Sequence, residues 1–139
     1  EDDYVRNLDR LWHKFQTMKR RVPPPEVIQN PKASVGVVCC GTSRYAGEEC
    51  RDQLLREYGL ETSYLRLKAY PFTRELGEFL DLHARVYVID QNRDAQLQAL
   101  MRLDLEPAQV EKLRSVRYYG GLPLDARTVT DEIVRQEGL

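Results

Sequence analysis

The strongest constraint on this fold is an alternation along the chain. Short apolar runs recur between longer segments whose apolar residues return every three or four positions. A run apolar throughout suits a strand buried on both faces, and the longer return suits a helix with one buried face. Val35 to Cys40, closed by Gly41, is the clearest such run. Thr62–Leu67 is a second strand, with Tyr64 and Arg66 alternating against Leu65 and Leu67, and Arg85–Asp90 a third. Ser115–Tyr119 reads as a fourth, ahead of a Gly120-Gly121 turn.

The segments between them read as helices. Ala46, Cys50, Leu54 and Tyr58 lie four apart behind Thr42 and Ser43, either of which can cap, and Gly59 stands where a helix ends. Thr73 can cap a helix carrying Leu76, Phe79 and Leu80, and Asp94 one carrying Leu97, Leu100 and Met101. Pro107 to Lys112 is a short helical turn, and a last helix is predicted from about Thr128 to Gln136. Strand and helix in alternation imply an α/β fold with a mainly parallel sheet and helices on both faces.

A different element comes first. Val5, Leu8, Leu11, Trp12, Phe15 and Met18 recur at helical spacing, with Arg6, Asp9, Arg10 and Lys14 on the other face. The spacing predicts an amphipathic helix over residues 2–21, stopped by Pro23-Pro24-Pro25. Residues 1–25 are therefore expected to be a connecting helix and proline strap, and residues 26–139 the α/β domain. The apolar stripe needs a cover, from this domain's sheet or from a neighbour. A chain that starts at Glu1 and runs at once into a helix is expected to be part of a longer polypeptide.

Composition excludes several classes. The net charge is −1 with acids and bases intermixed, so no basic face favours nucleic acid. No apolar run approaches the roughly 20 residues that span a bilayer, so no membrane contact is expected. The charged start lacks the apolar core of a signal peptide, and the three cysteines form no CxxC pair. Reduced thiols in a cytoplasmic protein are expected.

Two loops carry the candidate site residues. Gly41-Thr42-Ser43-Arg44 follows the first buried strand, and its amides and hydroxyls, Thr42 and Ser43 above all, can hold an anion or a partner. It matches neither a GxxxxGK[ST] nor a GxGxxG phosphate loop, and a tight turn with a helix cap is the simpler account. Asp90-Gln91-Asn92-Arg93-Asp94-Ala95-Gln96 crowds polar groups after the third strand, where doubly wound folds place ligand or partner contacts. Helix capping by Asn92 or Asp94 explains the same residues.

No catalytic constellation accompanies them. Adjacent Cys39 and Cys40 point to opposite sides of a strand, so they cannot serve one cluster, and Cys50 lies on an apolar helix stripe. All three read as small core residues without iron–sulfur spacing. His13 and His83 are far apart and have no partner at metal-ligand spacing. Of Tyr118 and Tyr119, closing a strand, one is expected to be packed and the other exposed.

Several segments taken together resemble a known family. They are Val37–Ser43, Thr62–Lys68 followed by Tyr70-Pro71-Phe72, Val86–Leu97, Glu111–Val116 and Tyr119–Leu124. In this order they are similar to the C-terminal region of the alpha subunits of 2-oxoacid:ferredoxin (or flavodoxin) oxidoreductases, over essentially the whole chain. The family usually has Glu where Asp90 stands and Gly where Ala95 stands, and extra residues sit around Asp125–Val129. An alanine tolerates an unusual backbone angle less well than glycine. The resemblance implies a three-layer fold like the transketolase C-terminal domain, with a mostly parallel five-stranded sheet and one antiparallel edge. Pro25 to Ile28, or a terminal segment, is the candidate fifth strand. It also implies a parent enzyme that oxidises a 2-oxoacid with coenzyme A, thiamine diphosphate, Mg²⁺ and iron–sulfur clusters, and passes electrons to ferredoxin or flavodoxin.

The cofactor motifs of that enzyme, a GDG…N diphosphate–metal motif among them, are missing here. No cofactor is therefore expected on this chain alone. A bracing and assembly role against the other alpha-subunit domains and the beta subunit is expected instead, with Gln91, Asn92, Arg93 and Gln96 as interface or loop-ordering residues. A free-standing flavodoxin-like or receiver-like module is the competing reading, but only Asp90 stands out as a strand-end acid and the Gly41–Arg44 loop is short for a flavin phosphate. A third reading makes the first helix a dimer face.

Overall fold

The computed structural model describes all residues, 1–139. Six helices and five strands follow one another as α1 (Asp2–Met18), β1 (Glu26–Ile28), β2 (Val35–Cys40), α2 (Ser43–Tyr58), β3 (Thr62–Leu67), α3 (Arg74–Asp81), β4 (Arg85–Asp90), α4 (Gln96–Arg102), α5 (Pro107–Val110), β5 (Leu113–Arg117) and α6 (Ala126–Glu137). The sheet order is β1-β3-β2-β4-β5. Four strands are parallel, and β1 runs antiparallel to β3 with Val27 opposite Leu65. The fifth strand is thus Glu26–Ile28, at the edge, where Val27 and Ile28 stay partly exposed.

Period-two alternation in the strands builds two cores, one on each face. Val35, Val37, Cys39, Tyr64, Tyr87 and Ile89 point to one side, under Ala46, Cys50 and Leu54 of α2 and Val129 and Ile133 of α6. Val38, Leu65, Val86 and Val88 point to the other, under Leu76, Phe79 and Leu80 of α3 and Met101 of α4. Gln53 and Thr130, both buried, join α2 to α6 by a hydrogen bond of 2.8 Å, so this polar pair does not stand unmatched in the core. The three-layer α/β/α fold expected from the sequence is the one observed.

Several boundaries differ from expectation. Helix α1 ends at Met18 rather than residue 21, and the next residues form turns bonded to Thr17 and Met18 carbonyls. Strand β5 lies two residues earlier than predicted. Its buried residues Leu113 and Val116 are three apart, so they serve opposite cores. Tyr118 and Tyr119 fall beyond it, the first half-buried and the second exposed. Helix α6 starts earlier because Asp125 caps it, accepting from the Thr128 amide at 2.8 Å. Thr73 holds the N-cap position of α3 without a side-chain capping bond. The Tyr70-Pro71 peptide is cis.

Helix α1 stands apart. It contains no buried residue. Near its C-terminal end Phe15 meets Tyr70 at 5.8 Å between ring centroids, and Lys19 pairs with Asp104. The rest of its apolar stripe is uncovered. No helix of the protein is long and apolar enough to cross a membrane.

Candidate functional site

Strand β2 feeds α2 over one face of the sheet, and β4, its neighbour, feeds α4 over the other. The two chains leave in opposite directions from adjacent strand ends, which opens the crevice where doubly wound sheets bind their ligands. Gly41, in the left-handed region at φ 57°, turns the chain out of β2 there.

Both candidate loops meet in this crevice. Gln91 Nε2 donates to Thr42 Oγ1 at 3.1 Å and to Ser43 Oγ at 3.0 Å. The expected cap of α2 is therefore not made by side chains: Thr42 holds the N-cap position, but no side chain caps the helix. Both hydroxyls face Gln91 instead.

The loop after β4 is tied down from within. Asn92 Nδ2 donates to Asp90 Oδ1 at 2.6 Å, while Asn92 Oδ1 accepts from the amides of Asp94 and Gln96 at 2.9 and 3.2 Å. The other Asp90 oxygen accepts from the Leu97 amide at 2.7 Å. Asp90 and Asn92 thereby satisfy two of the free amides at the start of α4, those of Leu97 and Gln96, and Asp94 does not cap that helix. Asp94 instead pairs with Arg93 in an exposed ion pair of 2.8 Å. The Arg93 carbonyl accepts from Arg117 at 3.2 Å, tying the loop to the end of β5. Gln96 is exposed. Sequence reasoning missed Asp90 as an organiser; its signal was a carboxylate ending a buried strand, two residues before an asparagine.

One strained residue holds the loop's shape. Ala95 adopts φ 51° and ψ 49°, the left-handed conformation, at the position where the resembling family usually has glycine. An L-residue there costs about 1–2 kcal/mol. Ala95→Gly is expected to raise stability by about 1 kcal/mol, part of the relief being offset by the entropy of glycine. A urea midpoint that falls in this variant would refute the strain.

Burial, and then the nearby Asp90 carboxylate, push the Cys40 thiol up. Beside it a mostly apolar cleft of about 240 Å³ is lined by residues such as Leu67, Tyr70, Phe72 and Leu97. A larger cleft of about 690 Å³ lies elsewhere, between the proline strap and α3, and mixes Arg20 and Arg74 with Glu75 and Asp104.

Iron–sulfur clusters and metal-bound thiamine diphosphate do not fit the residues present. Burial pushes Cys39 to about 11 and Cys50 to about 12, both in the α2/α6 core, while Cys40 packs on the opposite one. No group of three or more His, Cys, Asp or Glu is placed to hold a metal ion. His13 Nδ1 lies 2.7 Å from the Asp9 carbonyl, on exposed helix surface. His83 is buried with Nδ1 at 2.6 Å from the Phe79 carbonyl, and desolvation lowers its pKa.

These features define a doubly wound α/β domain with a hydrogen-bonded switch point. Its fold is similar to part of the 2-oxoglutarate:ferredoxin oxidoreductase from Magnetococcus marinus, solved with 2-oxoglutarate, coenzyme A and succinyl-CoA bound. The TM-score is 0.74 at 19% sequence identity, over 87% of this chain and 21% of that one. The chain thus spans about a fifth of the length of that enzyme chain. No family model matches the sequence, and no curated protein does.

Proposed function

We propose that this chain is the non-catalytic C-terminal domain of the alpha subunit of a 2-oxoacid:ferredoxin oxidoreductase, a cytoplasmic enzyme that converts a 2-oxoacid to its acyl-CoA. The observation that carries the reading is the fold likeness over nearly the whole chain, joined to the same motif order in the sequence. The domain braces the cofactor-binding domains and builds the contact with the beta subunit. Thiamine diphosphate, Mg²⁺, iron–sulfur clusters and coenzyme A belong to the other parts of the enzyme, and electrons leave to ferredoxin or flavodoxin. Residues 1–25 connect and residues 26–139 form the bracing domain. At the switch point Gln91, Asn92, Arg93 and Gln96 meet the neighbouring domains, with Thr42 and Ser43 behind them.

The test is 2-oxoacid-dependent reduction of a viologen dye with coenzyme A and thiamine diphosphate. It is run on the chain alone and on the complex it co-purifies with, across several 2-oxoacids. Reduction in the complex only is expected, and Asn92→Ala is expected to lower the yield of assembled complex. Turnover by the chain alone, or a co-purifying complex without activity on any 2-oxoacid, sinks the proposal.

A further inference from the structure

Helix α1 has a face with nothing on it. Tyr4, Val5, Leu8, Leu11 and Trp12 are 69%, 52%, 48%, 47% and 62% exposed. A helix of this length draws most of its stability from packing an apolar face, and this one packs only its last turns. The stripe is wide but regular. Tyr4, Leu8, Leu11, Phe15 and Met18 follow one another at alternating spacings of four and three, which is the a/d repeat of a helix pair, and Val5 and Trp12 flank it.

Charge says what covers it. Glu1, Asp2 and Asp3 open the helix, whereas Arg20 and Arg21 follow its end, past Lys19, which Asp104 already holds. Acids at the start also suit the helix dipole, but that effect fades within a turn and does not ask for Arg20 and Arg21 beyond the end. A surface with acid at one end and base at the other complements itself under a two-fold axis across it. In a parallel pair, acids would face acids. In an antiparallel pair the acidic end of each copy lies beside the basic end of the other. With Leu8 of one copy opposite Leu11 of the other, Val5 lies beside Trp12.

We propose that α1 pairs antiparallel with α1 of a second copy of this chain, through the Tyr4–Trp12 stripe and crossed acid–base ends. This contact stands apart from the assignment to a larger enzyme and does not depend on it. Because α1 buries no residue, charge changes at its ends leave both cores intact.

The experiment is sedimentation velocity across a concentration series. It compares the full chain, the variant Asp2→Lys with Asp3→Lys, the variant Arg20→Glu with Arg21→Glu, and an equimolar mixture of the two variants. A dimer is expected for the wild type. Each variant alone sets like charges against each other and is expected to dimerise about tenfold or more weakly. The mixture is expected to recover wild-type affinity, since each reversed end then meets its complement. A monomeric wild type overturns the proposal, as does a dimer that both variants leave unchanged or a mixture that fails to recover. Viologen reduction by the larger complex is unaffected by any of these outcomes, so the two proposals fail separately.

Discussion

Phe79→Ala is expected to lower the unfolding free energy by about 3–5 kcal/mol, a large share of what a domain of this size has. Phe79 is 2% exposed on α3, in the core shared with Leu65, Val86 and Val88. Its ring occupies the space that Gly36 leaves empty on the central strand. A Cβ built on Gly36 meets the Phe79 ring at 2.6 and 2.9 Å and the Val86 side chain at 3.3 Å. Glycine in a strand interior is otherwise a weakness, so its place here is explained by the close approach of the ring. Gly36→Ala alone is expected to cost about 1–3 kcal/mol by overpacking. The double change Gly36→Ala with Phe79→Leu is expected to cost less than the sum of its single changes, because the smaller side chain makes room for the methyl group. Urea unfolding of the four proteins checks this. Additive losses would mean that the glycine and the ring are not coupled.

Gly36 also illustrates what was legible in the sequence. The run Val35–Cys40 announces a strand buried on both faces, and the glycine within it announces a close approach, but not to what. Strands with strong apolar runs and helices with long apolar stripes were readable because burial on a periodic element leaves a periodic trace. Strand β5 was misplaced by two residues because the aromatic pair Tyr118-Tyr119 looks like strand, yet the register is set by Leu113 and Val116 against β4. Strand β1 has three residues, and such an edge has too little burial to leave a pattern.

The site was legible in pieces. Each loop stood out for its polar residues, but nothing local says that Gln91 reaches Thr42 and Ser43, 49 and 48 positions away. That juxtaposition follows from β2 and β4 being neighbours, a property of the strand order rather than of either segment. Of the expected helix caps, Asn92 does accept from the Gln96 amide, whereas Thr42 and Asp94 do not cap. The Thr42 hydroxyl accepts from Gln91 instead of an α2 amide, and the first α4 amides donate to Asn92 and Asp90 rather than to Asp94. The Ala95 departure is the counterexample: one residue, compared with the glycine of the resembling family, pointed to the single non-glycine left-handed angle in the chain.

Glu137→Gln is the second large effect, and it tests how the last helix is held. Glu137 ends α6, and its side chain is only 8% exposed. Arg85 donates to it twice, from Nε at 2.7 Å and from a terminal nitrogen at 2.6 Å, and the Tyr87 hydroxyl donates at 2.5 Å. The carboxylate thus fastens the end of α6 to the first residues of β4. An amide keeps one acceptor oxygen but sets an N–H₂ against the guanidinium. The expected loss is about 2 kcal/mol, below the figure for a fully buried pair because Arg85 is more than a third exposed and partly screened. The pH dependence gives the sharper test. Burial disfavours the Glu137 charge, but the Arg85 and Tyr87 bonds outweigh it, so its pKa lies below the ordinary 4.5. A carboxylate with a lowered folded pKa contributes stability that is fully present above its unfolded value and lost as pH falls through its folded one. Glu57, Glu75, Asp125 and Glu132 are lowered too, but they cancel in the difference between wild type and variant. That difference is expected to be flat above about pH 5 and to shrink toward zero in more acid solution. A difference that stays constant down to about pH 3 would mean that the ion pair contributes nothing and that the loss comes from packing alone.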